Sequence, residues 1–145
     1  MNRLICAMVA PLAASLVAGC TPEDPFSGSR PLLCTPAQIF QCTRAENCVT
    51  VAAEDVGAPD YFLLDVAAGL LVTTRASAER RESSIERMKR VGDVLFVQGI
   101  EDGRADQPDG VGWSVSLNDD DGSMAASVVT DGAAIMFLGA CVPTE

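Results

Sequence analysis

The sequence contains no histidine, and this absence excludes several kinds of site at once. A Ser-His-Asp triad and a Cys-His pair both use an imidazole as the general base, and imidazole is also a common metal ligand. The acidic residues, which a carboxylate-based hydrolase would use, fall mostly in turns with no pattern that marks a buried pair. We therefore assign no catalytic residue and expect a non-enzymatic protein with no metal site and no cofactor.

Basic residues are scarce. The chain has 10 Lys and Arg against 20 Asp and Glu, a net charge of −10. A nucleic-acid-binding face must neutralise phosphates with Lys and Arg, so this balance argues against nucleic acid as a partner. An acidic surface would suit a cationic protein partner, although it more often serves only solubility.

No apolar run is long enough for a comfortable helical membrane span, which needs about 20 residues. The nearest candidate is residues 4–18, which are apolar or small apart from Ser15. Arg3 precedes this run, and no acidic residue occurs before Glu23. A basic start, an apolar stretch and small residues at its end are typical of a secretory signal peptide.

The end of this segment is Leu-Val-Ala-Gly-Cys, residues 16–20. It resembles the lipobox of bacterial lipoproteins, a family in which the cysteine becomes the first residue of the mature protein and carries acyl chains such as palmitate. The resemblance implies a lipid anchor at Cys20 and a periplasm-facing protein of the cell envelope, on either the inner or the outer membrane. Several acyl chains, at about 0.8 kcal/mol per buried CH₂, make a stable anchor where one would be marginal. The alternative is an ordinary signal peptide cleaved nearby, since Val17 and Gly19 also suit that protease.

The number of cysteines is consistent with a lipid anchor at Cys20. Removing residues 1–19 leaves 126 residues with a net charge of −11 and five cysteines, an odd number. If Cys20 carries lipid, the other four are free to pair in an oxidising compartment.

Cys42 and Cys48 flank one predicted turn and are the natural local disulfide, worth about 2 kcal/mol in the loop-entropy model. Cys34 and Cys141 then close a long loop worth about 4–5 kcal/mol. Four cysteines allow three pairings, so this pairing is a hypothesis. A four-thiolate metal site is disfavoured, because paired C-x-x-C spacing is missing.

The sequence divides into three parts. Residues 1–19 are the predicted signal peptide, and residues 20–31 are the lipidated cysteine with a proline-rich, polar tether that we expect to be flexible. Residues 32–145 form one extracytoplasmic domain, of a size that buries about two-thirds of its unfolded surface.

The clearest structural pattern lies near the C-terminus. Residues 113–118 alternate strictly between apolar and polar side chains, which predicts a strand with every second residue from Trp113 on its buried face. Strands over 123–129 and 133–141, joined by the hairpin turn Asp131-Gly132, complete a three-stranded meander.

Shorter apolar runs around turn residues predict further strands over residues 39–43, 48–53, 61–66, 70–74 and 94–100. The last of these is nearly continuous in apolar residues, so we expect it to be central. Residues 35–38 fit either a helix start or a kinked edge strand. About nine short strands without a convincing long helix predict a mainly β domain, a small antiparallel up-and-down barrel or a sandwich.

Three stretches are candidate interaction sites. Residues 75–90 hold six Arg and Lys against three Glu. We interpret them as a loop followed by a strand, which could bind anionic headgroups or an acidic partner but more simply protects an exposed sheet edge. The polar loop 101–110 is a candidate binding loop or a plain connector. Residues 118–122 suggest a calcium loop, but two of its required positions fail, so a hairpin turn is favoured.

The segments GWSVSLNDDDG (112–122) and FLGAC (137–141) resemble small β-rich proteins predicted in proteobacterial genomes. The resemblance extends over most of residues 32–141 and implies no particular activity.

These observations favour a lipid-anchored envelope module that binds another envelope protein, cell-wall material or a small apolar ligand. A second hypothesis is an inhibitor of a cationic hydrolase such as lysozyme, by analogy with small anchored β-barrel lipoproteins. A carboxylate-based hydrolase is the least favoured. A large apolar cavity would favour the ligand, and a barrel filled by side chains would favour a protein partner.

Overall fold

The structure is a computed structural model that describes residues 26–45, 47–73, 80–102 and 110–145. Within these residues the chain forms nine strands in one antiparallel sheet and one short 3₁₀ helix, Glu54–Val56. The strands are β1 (Leu32–Thr43), β2 (Val49–Thr50), β3 (Phe62–Asp65), β4 (Leu70–Thr73), β5 (Arg81–Val91), β6 (Val94–Glu101), β7 (Val111–Asn118), β8 (Ser123–Thr130) and β9 (Ala133–Pro143). In this part of the chain no helix is long and apolar enough to cross a membrane.

The sheet closes on itself. Strands β3 to β9 follow one another in chain order, and β9 pairs with β1 from Leu32–Pro143 to Thr43–Ala133. Eight strands therefore form an up-and-down barrel, and β2 is an extra strand beside the second half of β1. The predicted mainly β fold of about nine short strands is confirmed, with closure removing most exposed edges as such barrels do.

Alternation of side chains decides which residues fill the barrel. In β7, Trp113, Val115 and Leu117 point inward and are buried, as the sequence predicts. Strand β6 is paired on both edges, which fits its predicted central position. Its two faces are not both buried, however: Phe96 and Ile100 point outward and are exposed.

Strand β1 contains a kink rather than a helix start. Its register against β9 shifts between Pro36 and Gln38. On the other edge, β3 pairs only with residues 32–34 and β2 only with residues 40 and 41. Pro36, which has no N–H to donate, therefore lies where this edge of β1 has no partner strand. The predicted strand over 48–53 is short, since only Val49 and Thr50 pair.

The barrel has two different ends. The plugged end, as we name it, carries the turns at 66–69, 92–93 and 119–122 and the start of β1. The open end carries the turn at 131–132 and the segment 44–61 between β1 and β3. Two connections also start from the open end, and most of the candidate loop 101–110 and the loop part of 75–90 lie outside the described residues.

The plugged end is closed by residues 26–31, the described part of the predicted tether. Phe26 is only 8% exposed and packs with the main core cluster. The Nη2 of Arg90 donates a hydrogen bond to the Phe26 carbonyl at 2.9 Å, and Arg90 also forms an ion pair with Asp119. The carbonyl of Pro31 accepts hydrogen bonds from the N–H and the hydroxyl of Thr144, both at 2.9 Å. Residues 26–31 are therefore docked on the barrel instead of standing clear of it as a flexible tether.

Two disulfides join the pairs that the sequence favours. Cys34 on β1 is bonded to Cys141, its direct neighbour on β9, across 107 residues of chain and inside the barrel. Cys42 is bonded to Cys48 across 6 residues. The predicted anchor residue, Cys20, lies outside the described residues.

Candidate functional site

The barrel is filled at the plugged end and hollow towards the open end. A cavity of about 470 Å³ occupies the open half, within the range of about 300–1,000 Å³ typical of ligand pockets. Large inward side chains fill the plugged half, among them Leu32, Leu64, Leu95, Leu117 and Met124. The open half has small residues at some inward positions, among them Ser83, Ala126 and Val128, beside the larger side chains that line its walls. These small residues leave the space.

The walls of the cavity are mainly apolar. Side chains from five strands line it: Phe62, Leu71, Val115, Val128, Ile135 and Phe137. A further wall comes from residues 56–59, which pass over the side of the barrel between β2 and β3. An apolar lining favours an apolar ligand, because burial of apolar surface drives such binding.

The wall segment 56–59 is held by local chemistry. Gly57 ends the 3₁₀ helix with a left-handed backbone, φ 63°. The N–H of Ala58 then bonds back to the Ala53 carbonyl at 2.9 Å, and Ala58 is buried in a second core cluster with Ile39 and Phe137. The Cys42–Cys48 disulfide fixes the start of the same excursion from the barrel. This bond therefore positions one wall of the cavity.

Trp113 forms another part of the wall and is itself fixed. Its Nε1 donates a hydrogen bond to the Ser83 hydroxyl at 2.6 Å, and that hydroxyl donates to the Ile100 carbonyl at 3.3 Å. The ring lies against Gly99, where an added Cβ would come within 2.3 Å of Trp113 Cζ2. The indole N–H therefore has a hydrogen-bond acceptor, and the ring is held in place by close packing against Gly99.

An ion pair lies among the lining residues at the open end. Nη1 of Arg81 is 3.1 Å from Oε1 of Glu101, with side chains 41% and 22% exposed. Arg81 starts β5, where its N–H donates to the Thr73 hydroxyl at 3.1 Å. Both charged groups are available to the polar part of a ligand, whereas the interior is apolar. Glu101 is the one carboxylate among the described lining residues, so no carboxylate pair lies in this cavity.

The acidic turn after β7 serves the fold. Asn118 Oδ1 accepts the N–H of Asp120, and Asp121 Oδ1 accepts the N–H of Ser123 at 2.8 Å. Hydrogen bonds from the Ser123 hydroxyl and then its backbone N–H hold the pKa of Asp121 below its ordinary value. The hairpin-turn interpretation fits this arrangement. Among the described residues, no group of three or more potential metal ligands comes together.

Comparison of the sequence with known family models and with curated proteins gives no match.

Sequence reasoning placed the candidate sites in loops and did not predict the cavity. Arg81 belongs to the predicted basic stretch and Glu101 begins the predicted binding loop, so the two candidates meet at the mouth of one site. The sequence feature that produces the cavity is the presence of small residues at inward positions of different strands, such as Ser83 on β5 and Ala126 on β8. That signal has meaning only once the register of all eight strands is known.

Proposed function

We propose that the protein is a non-enzymatic, lipid-anchored module of the cell envelope that binds a small, largely apolar ligand inside its barrel. The observation that carries the proposal is the apolar cavity of about 470 Å³ in a barrel that is otherwise filled. Packing voids cost stability, at about 24 cal/mol per Å³ of cavity in measured cases. A barrel that served only as a scaffold would be more stable if larger side chains filled this half.

In our proposal the apolar part and the polar end of such a ligand are bound by different parts of the site. The apolar body would lie against Phe62, Val128 and Phe137, where burial contributes roughly 25 cal/mol per Å² of apolar surface. A polar end would lie at the mouth, beside Arg81 and Glu101, which reach solvent. Such a division favours amphiphilic or wholly apolar molecules over sugars and nucleotides.

The docked segment 26–31 sets how the anchor would orient the barrel. If Cys20 carries the lipid, the chain from Cys20 to Phe26 spans at most about 20 Å. Because Phe26 is buried in the plugged end, that end would face the membrane. The mouth of the cavity would then open away from the membrane surface, towards ligands in the surrounding space.

Probe binding tests the cavity. Phe in place of Ala126, which lines the cavity, should fill it, whereas Phe in place of the neighbouring Ala125 should point outward. We expect the neutral apolar fluorophore N-phenyl-1-naphthylamine to bind saturably and to quench Trp113, the only tryptophan. Ala126→Phe should weaken this binding by about tenfold or more, and Ala125→Phe should leave it unchanged.

The proposal fails if the unaltered protein shows no saturable binding, or if both Phe variants bind the fluorophore as the unaltered protein does. Far-UV circular dichroism of the two variants checks that each retains its strands, so a loss of binding reports on the cavity.

A separate measurement tests the anchor. Intact-mass analysis of the protein from its native envelope should give a mature chain that begins at Cys20 and carries acyl chains. Cys20→Ala should leave the protein unacylated. An unacylated N-terminus at another position would remove the anchor and leave the ligand-binding proposal standing.

A further inference from the structure

The outer surface of five adjacent strands carries no charge. We name the outward-facing residues of β6, β7, β8, β9 and β1 the uncharged face; none of them is Asp, Glu, Lys or Arg. Charged residues make up 21% of the chain, so their absence from more than half of the barrel wall is a strong bias. The neighbouring strand β5 ends the face abruptly, with Arg87 and Lys89 opposite Gln98 and Phe96.

The uncharged face also exposes large apolar side chains. Six of them are 40–63% exposed: Phe96, Ile100, Val129, Met136, Leu138 and Val142. Monomeric soluble proteins rarely expose a contiguous apolar patch of more than a few hundred Å². A face of this kind is typical of a surface that another molecule covers.

The relief of the face is self-complementary. The outward residues of β7 and the middle of β8 are small and form a trough: Gly112, Ser114, Ser116, Ala125 and Ser127. Above Gly112 and Ser114 the surface has a depression of about 360 Å³, bordered by Ile100, by Val129 and, on β5, by Glu86 and Arg87. The adjacent strand β9 forms a ridge, with Met136 and Leu138 exposed. Under a two-fold axis, the ridge of each copy can fill the trough of the other, which is the condition for an isologous dimer.

We infer that the uncharged face is the interface between two copies of this chain. Two molecules of net charge −10 repel each other, so they can pack closely only where neither carries charge. A cationic protein would instead be drawn to acidic surface such as the turn 119–121. The occupant that needs a charge-free face is therefore a second acidic chain of the same kind.

The size of the face indicates a weak dimer. Because the wall of a barrel is curved, a flat contact can use about four of the five strands. Four strands about 4.8 Å apart and eight residues long, at about 3.4 Å per residue, cover roughly 500 Å² on each copy. The total of about 1,000 Å² is at the lower limit for a specific interface. We therefore expect a reversible dimer with a dissociation constant in the micromolar range.

Sedimentation equilibrium tests the inference with a matched pair of substitutions. Met136 lies on the ridge and is 44% exposed, whereas Met88 lies on β5 outside the face and is 52% exposed. Met136→Lys should raise the dissociation constant by about tenfold or more, and Met88→Lys should leave it unchanged. Raising the salt from about 50 mM to about 500 mM should strengthen the dimer, because salt screens the repulsion between the copies.

The inference is wrong if the unaltered protein stays monomeric at both salt concentrations up to about ten times the expected micromolar dissociation constant. It is also wrong if both substitutions weaken association equally. Binding of N-phenyl-1-naphthylamine by each variant checks the fold independently of association.

Crosslinking in cells identifies the occupant. A photo-reactive amino acid at position 136 of the full chain should give a product of twice the chain mass, and the same group at position 88 should not. An adduct only with another protein, an adduct only with lipid, or no adduct at all would each overturn the assignment to a second copy.

Discussion

Among the described residues Ser83 is the one buried polar residue, and its hydroxyl accepts a hydrogen bond from the Trp113 indole. In Ser83→Ala the indole N–H loses its acceptor, and a buried donor left without a partner costs about 1–3 kcal/mol. We expect a loss of that size in the free energy of unfolding, measured by urea with Trp113 fluorescence. Ser84→Ala, an exposed neighbour on the same strand, should change it by less than about 0.5 kcal/mol. Equal effects of the two substitutions would contradict the structural role of Ser83.

Gly99 is a second single residue on which the cavity wall depends. A Cβ at this position would overlap the Trp113 ring and the Ser84 carbonyl, 2.3 Å and 2.4 Å away. Overpacking of this kind typically costs about 1–3 kcal/mol, and we expect Gly99→Ala to lower the urea midpoint and to shift the Trp113 emission. Gly112→Ala is the control, since nothing lies within 4 Å of its added Cβ. A Gly99→Ala protein as stable as Gly112→Ala would show that the ring is not confined here.

The lowered pKa of Asp121 predicts that its carboxylate makes a small contribution to folding stability, which is lost in acid. Its pKa is lowered in the folded protein by hydrogen bonds from Ser123. The contribution is therefore fully present above the ordinary pKa of 3.8 and is lost as the pH falls through the lower folded value. An NMR titration should find the Asp121 carboxyl protonating below pH 3.8. In Ser123→Ala the pKa should move back towards 3.8, because the hydroxyl donor is gone.

At the scale of elements, the docked segment 26–31 makes the sharpest prediction. Burial of a phenylalanine side chain is worth about 3–5 kcal/mol in cores, and undocking of the segment limits the loss to the lower part of that range. Phe26→Ala should therefore cost about 3 kcal/mol in urea unfolding. It should also speed hydrogen exchange at the N–H of Thr144, which bonds to Pro31.

Arg30→Ala is the control for this prediction, because Arg30 is an exposed residue of the same segment. If Phe26→Ala left both stability and the exchange of Thr144 unchanged, the segment would contribute nothing to closing the barrel.

The elements also show where sequence reasoning works and where it stops. Alternation predicted the buried face of β7, because period-2 burial is local to one strand. The docking of Phe26 could not be predicted in the same way, since one apolar residue among prolines and polar residues forms no pattern. The apolar run of β6 predicts a central strand, but it does not predict that Phe96 and Ile100 are exposed, because hydropathy alone does not tell which face of a strand an apolar side chain occupies.

At the scale of the whole molecule, the two disulfides should have separable effects. The loop closed by Cys34–Cys141 is long, 107 residues, and the loop-entropy model gives about 4–5 kcal/mol for it. The loop closed by Cys42–Cys48 is short, 6 residues, and is worth about 2 kcal/mol. We expect urea unfolding of Cys34→Ala with Cys141→Ala to show the larger loss.

Probe binding should rank the two double variants in the opposite order. Cys42→Ala with Cys48→Ala loosens the segment that leads to the wall at 56–59, so it should weaken N-phenyl-1-naphthylamine binding more. The same order in both measurements would mean that neither disulfide has a specific role at the cavity.

The whole barrel was more predictable than its site. The bond between Cys34 and Cys141, proposed from cysteine number and position, already suggested a sheet whose ends meet. The hollow half depends on which inward residues face one another across eight strands, and that is a property of the assembled register. Inhibition of a cationic hydrolase rests on the barrel architecture and the net charge alone and stays a prediction.

The seam between β1 and β9 has a consequence for how the barrel is made. Its paired residues are among the most distant in the chain, as Cys34 and Cys141 illustrate with a separation of 107 residues. Such non-local pairing gives a high contact order, and barrels of this kind fold in about milliseconds to seconds rather than microseconds. Until β9 is available, β1 and β8 each present an open edge, and nascent chains can aggregate through such edges. Folding should therefore be completed only after β9 has been synthesised, and a holding chaperone should raise its yield.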